Sequence, residues 1–131
     1  MAGNSDAVLF VCMTCVVAGE TRREGHAPSG QQLYEKIRDL DDGEGDVRVM
    51  PVVCLANCDQ GCSAAASAPG KWSYVMGYLT PEQAPDLLAY GRAYAKSKLG
   101  VVLRSQRADS MRDSIVARIP SLALYENEAA E

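Results

Sequence analysis

The sequence AVLFVCMTC, residues 7–15, joins a short apolar run to a Cys-x-x-Cys motif. An apolar run of this length, bounded by polar segments, predicts a buried strand. Cys12 and Cys15 should therefore lie at the carboxyl end of that strand or in the loop that follows it. The position of this motif governs how the rest of the chain is interpreted.

A second group of cysteines follows another predicted strand. Residues 47–53 have the β-branched content of a strand, and Pro51 places that strand at the edge of a sheet or at a bulge. The sequence CLANCDQGC comes next and contains Cys54, Cys58 and Cys62. Two close groups of thiols can supply the soft, anionic ligands that a zinc ion or an iron–sulfur cluster requires.

A helix is predicted between these two strands, at residues 30–40, because apolar residues recur there on one helical face. Ser29 precedes Gln32 by three positions, a spacing that predicts a capping box at the start of this helix. A right-handed crossover through the helix would make the two strands parallel neighbours. Both cysteine loops would then leave the same edge of the sheet and could converge on one point.

The second half of the chain predicts a hairpin and another helix. Small residues at 63–68 lead into the turn signal Pro69-Gly70, and residues 71–79 alternate in the manner of a strand. Thr80-Pro81-Glu82-Gln83 combines the features that open a helix, whereas residues 115–120 follow no clear pattern. The order of elements predicts an α/β fold: a thioredoxin-like sandwich with a small mixed sheet flanked by helices.

The composition is that of an ordinary globular protein, with 131 residues, 47% hydrophobic residues and a formal net charge of -4. The length predicts a single domain at residues 1–124, followed by an acidic, disordered tail at residues 125–131. The charge balance argues against nucleic-acid binding, and no apolar run is long enough for a signal peptide or a membrane span. We therefore expect a cytoplasmic protein, whose five cysteines stay reduced and bind metal rather than form structural disulfides.

Three motifs resemble those of the thioredoxin-like [2Fe-2S] ferredoxins, a group that includes the related subunit of respiratory complex I. They are Phe10-Val11-Cys12, the Cys54–Cys58 segment with Gly61 after it, and Pro69-Gly70-Lys71-Trp72-Ser73-Tyr74. Nearly the whole chain also resembles an uncharacterised bacterial family of short predicted metal-binding proteins. That family shares the early Cys-x-x-Cys, the Cys-Leu-x-Asn-Cys-x-x-Gly-Cys block and an Ile-Ala-Arg-Ile-Pro motif, for which this chain has residues 115–120.

These resemblances imply a [2Fe-2S] cluster in a single-electron carrier that is not an enzyme, acts with a protein redox partner and forms a homodimer. They also imply a link to cobalamin metabolism, since members of the bacterial family are often found beside cobalamin-related genes. Cys12, Cys54 and Cys58 match the ferredoxin ligands. Cys15 is the fourth ligand by proximity, and Cys62, where ferredoxins commonly have proline, is the alternate.

Two other interpretations of the cysteines stay open. The same thiolates could bind zinc in a closed tetrahedral site, or carry an exchangeable zinc or cobalt ion without any electron-transfer role. Cys12 and Cys15 could instead form the reactive pair of a thiol–disulfide oxidoreductase. That site needs a helix directly after the second cysteine, and residues 16–20 do not predict one.

Overall fold

The computed structural model describes residues 6–21, 23–43 and 46–123. Within these ranges the strands are β1 (Ala7–Cys12), β2 (Val47–Val52), β3 (Ala64–Ser67), β4 (Ser73–Met76) and β5 (Ile115–Ile119), and the α-helices are α1 (Ser29–Leu40) and α2 (Ala84–Lys96). Neither helix has the length and apolarity needed to cross a membrane. The predicted tail at residues 125–131 and its boundary at residue 124 lie outside the described residues.

The five strands form one mixed sheet in the order β2-β1-β3-β4-β5. β1 and β2 are parallel, with Cys12 opposite Val52, and the other three pairings are antiparallel. The predicted parallel neighbours and the predicted hairpin are therefore confirmed. Pro51 lies on an edge strand, as expected of a residue that has no N–H to donate to a second neighbour. Both cysteine loops leave the same edge of the sheet.

The two helices contact each other and also contact β1 and β2, so they form one layer on a single face of the sheet. Leu33 and Ile37 of α1 are fully buried in this layer. α2 packs on the sheet at Gly91, where a Cβ would make an ordinary contact of 3.4 Å with the Leu9 side chain. This architecture confirms the predicted α/β fold with a small mixed sheet.

The start of α1 differs from the sequence prediction. The helix begins at Ser29 itself, so Ser29 is not the N-cap, and its hydroxyl accepts a bond from the Val17 N–H at 3.4 Å. The Gln32 side chain donates to the carbonyl of Ala27 at 2.8 Å instead of closing a capping box. The Ser29 hydroxyl thus serves as hydrogen-bond acceptor for the loop after Cys15 and not for its own helix. A spacing rule based on neighbouring residues does not include this contact.

The end of β4 also differs from the prediction of a strand over residues 71–79. The strand stops at Met76, since Tyr78 adopts a left-handed backbone with φ of 59°. The Tyr78 N–H donates to the Gln60 carbonyl at 2.6 Å, which turns the chain towards the second cysteine loop. The start of the second helix agrees with the prediction. The Thr80 N–H donates to the Gln83 side chain at 2.8 Å, as the capping-box pattern predicts.

Candidate metal centre

The first pair of cysteines lies at the carboxyl end of β1. Cys12 is the last residue of the strand, and both it and Cys15 are buried. Their sulfur atoms are 3.0 Å apart, with the Cys15 thiol donating to Cys12. The Cys12 N–H donates to the Ser63 carbonyl at 3.0 Å, and the Met13 N–H donates to the Val52 carbonyl at 2.8 Å. The neighbouring strands therefore hold the start of this loop on both sides.

The N-terminus of α1 packs directly on this pair. The Gly30 N–H donates to the Cys15 carbonyl at 2.8 Å. A Cβ at Gly30 would collide with the carbonyl oxygen of Cys12, so only glycine allows this approach. The described residues between Cys12 and Ser29 contain no helix, so the first helix after the pair is α1 itself.

The second pair of cysteines lies on the loop after β2 and is exposed. Cys54 precedes a left-handed residue, Ala56, whose φ is 57° and whose N–H donates to the Cys54 sulfur at 3.2 Å. Cys58 opens a short 3₁₀ turn, Cys58–Gln60. Both thiols face solvent, in contrast to the first pair.

Hydrogen bonds join the two cysteine loops to each other. The Val53 carbonyl accepts from the Thr14 hydroxyl at 2.7 Å. The Asn57 amide donates to the Ser63 hydroxyl at 3.0 Å, and that hydroxyl lies 4.0 Å from the Cys15 sulfur. Sequence reasoning did not find the side-chain roles of Asn57 and Ser63. The asparagine inside the Cys-Leu-x-Asn-Cys motif was the available signal.

The fifth cysteine, Cys62, is fully buried behind the first pair. Its N–H and carbonyl are both paired with the backbone of Leu79, at 3.2 and 3.1 Å. The preceding Gly61 packs tightly, because a Cβ there would lie 2.6 Å from the Val16 carbonyl and 3.3 Å from the Cys15 sulfur. The absence of a side chain at Gly61 thus lets the main chain lie against the Cys15 sulfur.

The environments of the two buried loop cysteines differ electrostatically. Burial favours the neutral thiol of Cys12, but hydrogen bonds, the first of them from Cys15, outweigh burial and lower the pKa of Cys12. Burial, the hydrogen bond to Cys12 and the Cys12 charge raise the pKa of Cys15 to about 12. The Cys12 thiol therefore loses its proton at a lower pH than the Cys15 thiol does.

The pKa values of Cys58 and Cys62 are raised as well. Burial raises the pKa of Cys62 to about 11, and the Cys12 charge adds to that shift. The charge of Cys54 raises the pKa of the exposed Cys58, with a further contribution from Cys12. Because deprotonation is part of metal binding, a metal ion would have to displace these protons.

The five thiols thus lie at one edge of the sheet as two pairs and a buried fifth. In the described part of the chain, no three Cys, His, Asp or Glu side chains are grouped closely enough to hold a metal ion. Cys58 is nevertheless within electrostatic range of both Cys12 and Cys15. All five cysteines are free thiols, and a donor set of this kind fits a soft metal ion or an iron–sulfur cluster. The choice of four ligands stays a prediction.

The family described as "Protein of unknown function (DUF1636)" matches residues 9–121. The chain belongs to the DUF1636 family. The matched range contains both cysteine pairs and Cys62, so the whole candidate site belongs to the family's common region. No curated protein matches this DUF1636 chain.

Solved structures similar to the DUF1636 chain include a thioredoxin-like [2Fe-2S] ferredoxin from Aquifex aeolicus. It has 12% sequence identity and a TM-score of 0.54, over 87% of this chain and 93% of that one. The wild-type thioredoxin-like [2Fe-2S] ferredoxin from Aquifex aeolicus, at 1.5 Å resolution, has 14% identity and a TM-score of 0.51, over 86% and 98% of the two chains. At these identities the likeness shows the fold alone, and the DUF1636 chain has the thioredoxin-like α/β fold.

Proposed function

We propose that this protein is a small electron carrier that binds a [2Fe-2S] cluster through Cys12, Cys15, Cys54 and Cys58. The observation that carries the proposal is the position of these thiols, in two pairs on adjacent loops at one edge of the sheet. The likeness to the Aquifex aeolicus ferredoxins, whose names state a [2Fe-2S] cluster, supports it. Such a cluster accepts and releases one electron at a potential set by its surroundings.

The surrounding residues have roles that suit this function. Backbone N–H groups that donate to sulfur stabilise the negative charge of a thiolate-bound centre, and the Ala56 N–H is placed for this at Cys54. The buried Cys12 and Cys15 would shield one side of the centre from water. The exposed Cys54 and Cys58 would leave the other side open to a partner.

The proposal extends to the setting in which the protein acts. It needs no catalytic nucleophile, acid or base, so the protein is a carrier rather than an enzyme. We place it in the cytoplasm with a protein redox partner, without nucleic acid or membrane, in cobalamin-related metabolism. A homodimer would cover the helix-free face of the sheet, where Phe10 lies opposite Met50 and Ala65.

A metal-delivery protein for zinc or cobalt is the second candidate function. The pairwise grouping of the thiols favours it, because two separate pairs can pass an ion between them. Cys62 supports it as well, since a fifth thiol within electrostatic range of Cys12 can replace a ligand during exchange. In this function the protein would carry an ion and no electron.

Anaerobic reconstitution with iron and sulfide tests the two candidates. We expect visible absorption that bleaches with dithionite, a paramagnetic signal in the reduced state, and equal amounts of iron and acid-labile sulfide. Cys12→Ser and Cys58→Ser should lose the cluster. Comparing Cys15→Ser with Cys62→Ser identifies the fourth ligand, because only the variant that removes a ligand should lose iron.

One result would overturn the cluster proposal in favour of metal delivery. It is a colourless protein with one zinc ion per chain and no acid-labile sulfide, even after anaerobic reconstitution. A chelator should then remove that one ion and leave the protein free of metal.

A further inference from the structure

The two cysteine pairs differ in their access to solvent. Cys54 and Cys58 are exposed, whereas Cys12 and Cys15 are buried, at 0% and 4% exposure. A hydrated metal ion or a cluster on a donor molecule is too large to reach the buried pair without movement of the protein. It can contact the exposed pair directly.

The buried pair is covered on several sides by main chain. Gly30 of α1 packs on the Cys12 carbonyl, and Gly61 packs on Cys15 so closely that even a methyl group would not fit. The Ser63 hydroxyl lies 4.0 Å from the Cys15 sulfur. These contacts close the approach from the helix layer and from β3.

The base of the second cysteine loop covers the Cys12 sulfur. The Cys12 thiol lies 3.7 Å from the Val53 carbonyl, the residue immediately before Cys54. Asn57, immediately before Cys58, is tied to Ser63. The loop is thus anchored at Val53 and at Asn57 beside the buried pair, with Cys54 between these two residues and Cys58 directly after the second.

We propose that Cys54 and Cys58 form an entry site, which captures a soft metal ion or cluster through two thiolates before Cys12 and Cys15 complete the coordination. The inference rests on the proposed thiolate site and holds for a cluster or for a single ion. Each new sulfur–metal bond releases one thiol proton to solvent and displaces one ligand, either water or a donor's thiolate. No electron is transferred.

The second step follows from the anchors of the loop. Val53 stays bonded to Thr14 of the first loop and Asn57 stays bonded to Ser63 beside β3, while the loop that carries Cys54 and Cys58 closes over the buried pair. Cys12 and Cys15 then replace the remaining water or donor ligands. Ordered loading of this kind keeps a bound ion in contact with at least two thiolates throughout.

Cobalt binding to the reduced, metal-free protein tests the order. Co²⁺ bound to thiolates absorbs in the near ultraviolet through sulfur-to-metal charge transfer, and rapid mixing resolves its appearance. We expect a fast phase from the entry pair and a slower phase as the buried pair joins. Cys54→Ser/Cys58→Ser should lose the fast phase, and Cys12→Ser/Cys15→Ser should keep it and lose the slow one. Ser105→Ala, at an exposed position of a distant turn, is the control and should keep both phases.

Pulsed alkylation of the wild-type protein gives a test that needs no variant to fold. Brief exposure to N-ethylmaleimide followed by mass spectrometry should label Cys54 and Cys58 before Cys12 and Cys15, and prior addition of Co²⁺ should protect the exposed pair first. An unchanged fast phase in Cys54→Ser/Cys58→Ser would overturn the entry site. No charge-transfer band in the wild-type protein would instead overturn the thiolate site on which it rests.

Discussion

Gly61 shows how one residue without a side chain sets the distance between the two cysteine loops. Its backbone is in an extended conformation that any residue can adopt, with φ of -68°. The demand for glycine is therefore one of space, imposed by the Val16 carbonyl and by Cys15. The Ala18 N–H also donates to the Gly61 carbonyl at 2.8 Å, which fixes this contact from the other side.

We expect Gly61→Ala to lower the free energy of unfolding by about 1–3 kcal/mol, the usual effect of inserting a methyl group into packed main chain. Urea denaturation followed by circular dichroism measures it. Gly91→Ala is the matched control, a buried glycine where the new methyl would lie 3.4 Å from Leu9. There the free energy of unfolding should stay unchanged or rise by up to ~1 kcal/mol through improved helix propensity. Equal losses in both variants would contradict the argument.

At the scale of elements, the end of α2 is joined to the hairpin by two side chains. The Lys71 ammonium donates to the carbonyls of Tyr94 and Ala95, at 3.3 and 2.7 Å. It thus provides a hydrogen-bond donor for two carbonyls in the last turn of the helix. The Tyr94 hydroxyl donates back to the Trp72 carbonyl at 2.6 Å. Tyr94 also meets Tyr74 of β4 edge to face, with ring centroids 6.3 Å apart.

This arrangement predicts a loss of stability at high pH. Burial, followed by the effect of Tyr74, raises the pKa of Tyr94 from 10.0 to about 12. Between these values the unfolded chain has released the phenolic proton and the folded chain has not, so the free energy of unfolding falls as pH rises. The contribution of Tyr94 is fully present below pH 10 and is lost as pH approaches 12.

Tyr94→Phe should make that decline shallower by up to about 1.4 kcal/mol per pH unit, the equivalent of one proton. At neutral pH the variant should be less stable by about 1 kcal/mol, since the Trp72 carbonyl loses its donor. Tyr78→Phe, at a residue that is 56% exposed, is the control. Urea midpoints between pH 9 and 12 make the comparison, and identical slopes in the two variants would refute the assignment.

Elements could be predicted where the pattern is local, and their ends could not. The 3.6-residue period of apolar residues predicted α1, and the turn signal at Pro69-Gly70 predicted the hairpin. The end of β4 depends on a bond between Tyr78 and Gln60, and β5 is recognisable only through its pairing with β4. Contacts between residues far apart in sequence leave no periodic signal in either segment.

The hydrophobic core of the whole molecule lies between the sheet and the two helices, and its packing does not depend on a metal ion. Leu9, Leu33, Ile37 and Leu87 are fully buried between the sheet and the two helices. Each such side chain contributes roughly 1.5–3 kcal/mol when removed from water. Cys12, Cys15 and Cys62 belong to the end of this core where the loops leave the sheet, and Cys54 and Cys58 lie outside it.

We therefore expect the metal-free protein to stay folded. Protein stripped with a chelator under reducing conditions should retain its far-ultraviolet circular dichroism and unfold in a single cooperative transition. Reloading should raise the melting temperature, because a ligand that binds only the native state stabilises it. Loss of the dichroism signal on chelation, as in domains that fold only around zinc, would contradict this expectation.

The sequence could predict where the cysteines lie in the fold but not how deeply each pair is buried. The strand before each cysteine group placed Cys12 and Cys54 at one sheet edge, and the structure confirms that edge. The contrast in burial between the pairs could not be predicted, because it depends on how α1 packs through Gly30 and on the bond between Asn57 and Ser63. Those contacts are tertiary and involve residues without any recognisable metal motif.

The crossover from β1 through α1 to β2 has a consequence for the newly made chain. The Cys12 pair leaves the ribosome first, and the Cys54 pair follows only after the helix and the second strand have been synthesised. A half-made chain that ends before β2 thus offers only the thiols of Cys12 and Cys15, and two thiolates bind soft metals weakly compared with four. The proposed metal site requires both cysteine loops, so the topology would delay tight metal binding until β2 and the second loop have been made.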